Sequence, residues 1–329
     1  MSSKRDLVLK AFNNEKTERV PVGFWFHFAK DESAPQSDEI VKINYKGHVK
    51  FIEDWDPDYV KIMSDGFFNY PGFPEEPVKS AADLKKIKSG KPETLKWIDD
   101  QVAHVKNITE KYGKDIVTIY NVFSPASYLF IGIDGFNIDS ITKLYKEDAE
   151  ALKEALLTIS EDIKLLAARV IKEGGTDGIY FSVGNFNGIS KEDYLKYIAP
   201  AEIAVLEAAN AVNDSSMLHI CGFEGRRNDL TTYAGYPVKV INWAAGVEGV
   251  PLEEGKKIFG GRAVVGGFAN TASGVLYKGT KEEIQAETNK ILQAAGTTGV
   301  IIGADCTIPR DTPIEHLKWV REAAEAFGA

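Results

Sequence analysis

Short runs of β-branched and aromatic residues alternate with helical patterns along the whole chain, which restricts it to α/β architectures built on a parallel sheet. The runs are Val20–Phe26, Tyr59–Met63, Ile116–Tyr120, Gly178–Val183, Ser216–Cys221, Val238–Trp243, Ala263–Gly266 and Val300–Gly303. The clearest helix between them begins near Glu147, where Leu152, Leu156, Ile159, Ile163, Leu166 and Val170 form one apolar stripe that ends at Gly174-Gly175. Ser190-x-x-Asp193 and Thr280-x-x-Glu283 read as capping boxes, and Thr312-Pro313 as a helix start with proline at its first position. Eight strands alternating with helices predict a (β/α)₈ TIM barrel, one domain over residues 1–329. A doubly wound open sheet is the other α/β solution, but no GxGxxG follows the first run. The proline-bearing stretch Asn69 to Pro92 reads as an excursion over the barrel rim.

A 44% hydrophobic and 26% charged composition is that of a globular protein, and the net charge of -9 leaves no basic footprint for nucleic acid or a membrane surface. No apolar run approaches the roughly 20 residues a membrane helix needs. Met1 to Asp6 opens no signal peptide, so a cytoplasmic protein is expected.

Both cysteines fall into one metal-ligand pattern. His219-Ile220-Cys221 ends the fifth run, and the distant Cys306 follows the eighth. On a strand, residues two apart share a face. One imidazole and two thiolates suit zinc, and three protein ligands leave the open position of a catalytic site. The alternatives are a buried histidine with two inert thiols, or a Cys221–Cys306 disulfide, which a reducing compartment disfavours. Barrel topology favours the metal. The ends of strands five and eight meet at the C-terminal mouth, where active sites of this fold lie.

Other strand ends send polar groups to that mouth: His27, Asp65, Asn121, Asn185, Trp243 and Asp305. Asp65, His27 and Asp305 are the catalytic candidates, and Asp305 or His27 the first candidates for a fourth metal ligand. Asn121, Asn185 and Trp243 are candidate substrate contacts. Arg226-Arg227 follows the metal strand and offers a cation for an anionic substrate. His48, His104 and His316 lie in predicted helices and read as surface residues.

These residues carry a likeness. The chain resembles the uroporphyrinogen decarboxylase superfamily through Glu18-Arg19-Val20-Pro21-Val22, Asp58 to Asp65, Gly175-Thr176-Asp177-Gly178-Ile179, His219-Ile220-Cys221-Gly222 and Gly303 to Pro313. The resemblance implies a (β/α)₈ barrel and two possible chemistries. The decarboxylase branch grips substrate carboxylates with arginines just after the first strand. Here Trp25 to Asp31 holds no arginine, Gly303-Ala304-Asp305 replaces its Gly-His-Gly, and only Asp65 matches cleanly, with Tyr128 near that branch's tyrosine position.

In the zinc-dependent, corrinoid-linked methyltransferase branch, H-x-C and a distant Cys match His219, Cys221 and Cys306 residue for residue. That likeness implies zinc-dependent methyl transfer between a methylcorrinoid and a small thiol. No Asp-x-His-x-x-Gly pattern is present, so the corrinoid is expected on a separate protein. A carboxy-lyase and a non-catalytic corrinoid- or tetrapyrrole-binding barrel are the remaining readings.

Overall fold

The computed structural model describes residues 3–184 and 186–328; Asn185 therefore lies outside the described residues. Seven parallel strands form one curled sheet in chain order: β1 (Tyr59–Ile62), β2 (Val117–Phe123), β3 (Gly178–Gly184), β4 (Met217–Cys221), β5 (Val240–Trp243), β6 (Ala263–Phe268) and β7 (Val300–Ala304). Helices Asp38–Trp55, Pro92–Tyr112, Ala149–Lys172, Ala199–Asn210, Leu252–Ile258, Lys281–Ala295 and Ile314–Gly328 surround it. After β4 the connecting helix shrinks to the 3₁₀ turn Leu230–Tyr233.

The expected first strand is not one. Val20–Phe26 contributes a single parallel bridge, Val22 to Ile302, with Gly23 N donating to Ile302 O and Ile302 N to Pro21 O. Pro21 has no N–H to give to a ladder. The Val22 N–H turns instead to the Asp58 carboxylate (2.8 Å), which also takes a bidentate fork from Arg19 (2.7 and 2.6 Å). Ion pairing thus closes the seam between this segment and β1 where backbone pairing does not. The architecture is a distorted (β/α)₈ barrel.

Two separate cores hold it. One lies between the sheet and the helices; the Ala149–Lys172 stripe enters it, with Leu152, Leu156, Ile159, Ile163, Leu166 and Val170 all buried. Asp148 caps that helix by accepting from Ala151 N. The other core fills the barrel, where Tyr59, Val117, Tyr180, Met217, Val240, Ala263 and Ile301 point inward. Val8, Ala11 and Phe12 of the N-terminal helix Lys4–Phe12 join this inner core. Gly23 is required there, because a Cβ would collide with the Tyr59 ring.

Several local expectations need correction. Residues 69–92 are tied into the core, with Tyr70, Ala81, Leu84 and Ile87 buried. They pack against Ala149–Lys172, where the Tyr70 hydroxyl and Gly90 N both donate to the buried Asp162 (2.6 and 2.9 Å). Thr280–Glu283 forms a full capping box, whereas Ser190 accepts from Asp193 N and donates its hydroxyl to Asp193 Oδ2. The last helix starts at Ile314, and the Thr312 hydroxyl donates to Pro309 O. His48 and His104 are not surface residues but buried ones, 0% and 2% exposed, while His316 is half-buried. His48 sits on the stripe Asn44, His48, Phe51, Trp55, so the spacing that buries the aromatics buries it too.

Candidate metal centre

Strand alternation carries the inner face of the barrel upward from the apolar core. Above Tyr59 comes Lys61, above Ile119 comes Asn121, above Tyr180 comes Ser182, and above Met217 come His219 and then Cys221. His219 pairs in register with Ser182 on one side and Asn242 on the other. Cys306 reaches the same place from just past β7. The ligand atoms of His219, Cys221 and Cys306 all lie within 4.8 Å of one another, and His219 Nε2 is 3.4 Å from Cys306 Sγ. Both cysteines are free thiols.

The neighbours of His219 set its tautomer. Asn242 Nδ2 donates to Val265 O (2.9 Å) and Ala304 O (3.1 Å), which fixes Oδ1 as the atom facing the ring. That Oδ1 accepts from His219 Nδ1 (2.6 Å) and from the Tyr180 hydroxyl (2.8 Å). The proton therefore sits on Nδ1, and the Nε2 lone pair points toward the sulfurs. Tyr180 stacks on the imidazole at 5.2 Å between centroids.

A tetrahedral zinc with ordinary bonds to sulfur and imidazole separates these ligands by roughly 3.5 Å, close to the 3.4 Å found. The donor set and its geometry fit the metal. Replacing Asn242 by leucine should weaken metal binding about 10–100-fold, the usual cost of losing a histidine's orienting partner, as read by chelator competition.

The two thiols titrate as a unit. The hydrogen bond between them holds Cys306 low and pushes Cys221 up, and burial adds to the rise at Cys221. Lys61, which sequence reasoning passed over, is buried beside them with Nζ 3.7 Å above the Tyr180 ring centroid. Burial pushes its ammonium down to about 8, against the pull of Cys306, Cys221 and Asp65. The alternation Tyr59, Lys61, Met63 was the available signal for an inward lysine.

The other candidates separate into those on the cavity wall and those off it. A cavity of about 170 Å³ opens beside the cluster, and His27, Asn121 and Arg226 line it. Asn121 donates to Ser64 Oγ (2.7 Å). Arg226 is held by Asp139 (2.8 Å) and Glu224 (3.7 Å). Asp65 stands behind His27: its Oδ1 lies 2.7 Å from His27 Nδ1, and its Oδ2 accepts from Phe28 N and Ala29 N (2.8 and 3.0 Å). Burial raises the Asp65 carboxyl, but His27 and these N–H groups outweigh it, so it titrates below its usual range.

Asp305 is neither on the cavity wall nor in the ligand cluster. Its Oδ2 accepts from Gly246 N (2.9 Å), and burial raises its carboxyl to about 6. Trp243 alternates outward from Asn242 and donates to Val250 O (2.8 Å) against Phe259. Tyr128, on helix Pro125–Asp134, packs on Trp97 and Tyr70 away from the cavity.

The chain matches the uroporphyrinogen decarboxylase (URO-D) family over residues 64–327 and belongs to it. Two relatives mark out the range of that family. The methylcobamide:CoM methyltransferase MtbA of Methanosarcina mazei is 27% identical over 261 residues, 78% of this chain and 72% of that protein. A uroporphyrinogen decarboxylase of Anaeromyxobacter dehalogenans is 24% identical over 254 residues, 77% of this chain and 70% of that one. Among solved structures, a methyltransferase from Methanosarcina mazei superposes over 100% of both chains with a TM-score of 0.76 at 17% identity, a likeness of fold. No helix of the described residues is long and apolar enough to cross a membrane.

Proposed function

We propose that this chain is a zinc-dependent methyltransferase moving a methyl group between a corrinoid protein and a small thiol. The observation that carries the reading is the His219, Cys221, Cys306 cluster at the wall of a cavity. The relative named as a methylcobamide:CoM methyltransferase supports it.

Zinc bound by these three residues would accept a thiol at its open position and favour the thiolate. The protein supplies the rest. Asn242 holds His219 in the ligating tautomer. The Lys61 side chain sets a positive charge beside a site that gathers thiolates. His27, steadied on Asp65, offers Nε2 on the cavity wall to take the thiol proton. In the transfer, the sulfur electron pair forms the S–CH₃ bond. A methylcorrinoid brought by a partner protein would supply the methyl group and keep the electron pair of the broken bond, and the thiol proton would pass to His27.

Decarboxylation of uroporphyrinogen lacks equivalent support. No arginine lies between Val20 and Asp31, and both Asp65 oxygens are already engaged. A polyanion needs cations to offset its charge. The experiment is metal analysis with anaerobic turnover of methylcobalamin and a thiol. About one zinc per chain and chelator-sensitive thioether formation are expected. Metal-free protein from chelator-free purification, or efficient zinc-independent turnover of uroporphyrinogen, would overturn the reading.

A further inference from the structure

Beside the metal ligands, much of the cavity wall is apolar and aromatic. Phe68, Phe123, Phe130, Ile131, Phe136 and Ile138 form it. Phe68 and Phe123 meet edge to face at 4.9 Å, and Phe68 also contacts Phe136 at 6.1 Å. The Phe136 backbone sits at φ 74°, in a region that bulky L-residues seldom adopt. The loop after Gly135 thus carries strain while it holds this ring at the cavity.

The charged groups around the cavity complete the pattern. Arg226 is already paired with Asp139 and Glu224. Glu32 adds a negative charge to the lining. Lys61 stands at the metal end, where it faces the sulfurs. An anionic group projecting from a metal-held thiol toward the aromatic wall would have Lys61 only at the metal end and Arg226 only where Asp139 and Glu224 already neutralise it. A buried unpaired charge is far costlier than a buried ring. Size agrees: an apolar cavity of about 150 Å³ admits benzene, and this one measures about 170 Å³.

Resting on the methyltransferase reading, we propose that the thiol substrate carries an uncharged, ring-sized apolar body, and that thiols with an anionic tail are rejected. Sulfur occupies the metal end, and the ring lies among Phe68, Phe123 and Phe136. A thiol with a short arm between sulfur and ring meets both requirements.

Two measurements separate this proposal from the reading beneath it. In cobalt-substituted protein, phenylmethanethiol and 2-mercaptoethanesulfonate are titrated against the thiolate-to-cobalt absorption band. The ring thiol should bind at least about tenfold tighter, and Phe123→Ala should remove most of that preference, since it strips an aromatic face from the ring's seat. In chelator-treated protein, toluene should raise Tm and ethanesulfonate should not. Equal or tighter binding of the sulfonate thiol, or no stabilisation by toluene, overturns the substrate class and leaves metal-assisted methyl transfer standing. If neither thiol reaches cobalt while toluene still stabilises the metal-free protein, the ring-binding cavity is upheld and the thiol reading falls.

Discussion

Replacing Cys306 by serine should give a folded barrel that holds no zinc and has lost methyl transfer by at least about a thousandfold. The size follows from the several kcal/mol a metal supplies as a Lewis acid, each 1.36 kcal/mol being a factor of ten. The fold should survive because Cys306 is half-buried in the turn after β7 and carries no element of the core. Cys221→Ser should behave alike, since Cys221 is the last residue of β4 and is also half-buried.

His219→Ala is the poorer test. It would leave a void against Tyr180 and strip Asn242 Oδ1 of one donor, so lost activity would mix with lost packing. Metal content by mass spectrometry, far-ultraviolet circular dichroism and thioether formation should be read on one preparation. A Cys306→Ser protein with full zinc and full turnover would place the metal elsewhere.

The metal site was legible in the sequence because it depends on rules that operate locally. Alternation puts His219 and Cys221 on one face, and barrel topology brings Cys306 to the same mouth; both hold. The same alternation, applied strictly, separates Asn242 from Trp243, since the residue in phase with Val240 faces inward and its successor faces the helices. Treating every strand-end residue as a mouth residue lost that distinction.

Lys61 was missed for a related reason. A charge within a strand suggests solvent, yet its neighbours Tyr59 and Met63 are both inward. Tyr128 had only an approximate family position behind it, and its helix turns it toward Trp97. The first strand failed on chemistry that the sequence displayed but did not rank: Pro21 without a donor, and a carboxylate at Asp58 ready to take the next N–H. The Asp139 partner of Arg226 was not readable, because Asp139 lies on a different connection of the barrel.

Acid should unfold this protein through two histidines that read as surface residues. Burial lowers His48 to about 4 and His104 to about 3, so both are neutral in the fold at pH values where the unfolded chain has already protonated them. A histidine with a depressed folded pKa costs stability as pH falls below about 6.5, and the loss continues down to the folded value. One pKa unit corresponds to 1.36 kcal/mol. His48 alone then removes about 3 kcal/mol by pH 4, a large share of the 5–15 kcal/mol that holds a typical domain together.

Glu202 acts in the opposite sense. Burial raises it to about 7, although Tyr194 and Tyr236 donate to it, so it adds stability as pH falls from 7 toward the usual carboxylate value. The wild-type acid limb is therefore a sum, and a variant has to isolate the histidine part.

His104 permits that and His48 does not. Neither ring nitrogen of His104 makes a hydrogen bond of good geometry, the Met63 backbone being only a weak partner, and its ring lies against Phe67 and His48. Replacing an unsatisfied buried polar group by an apolar one of similar size is close to neutral. His104→Leu should match wild type at pH 7 and lose less stability between pH 6.5 and 4, by about 3 kcal/mol. His48 accepts from Met63 N (3.0 Å) and donates to Asn44 O (2.9 Å), so its leucine variant should be weaker at every pH by about 1–3 kcal/mol. Urea unfolding of chelator-treated protein across this range makes the comparison without interference from the metal. Parallel acid limbs for wild type and His104→Leu would show that His104 takes up its proton in the folded protein.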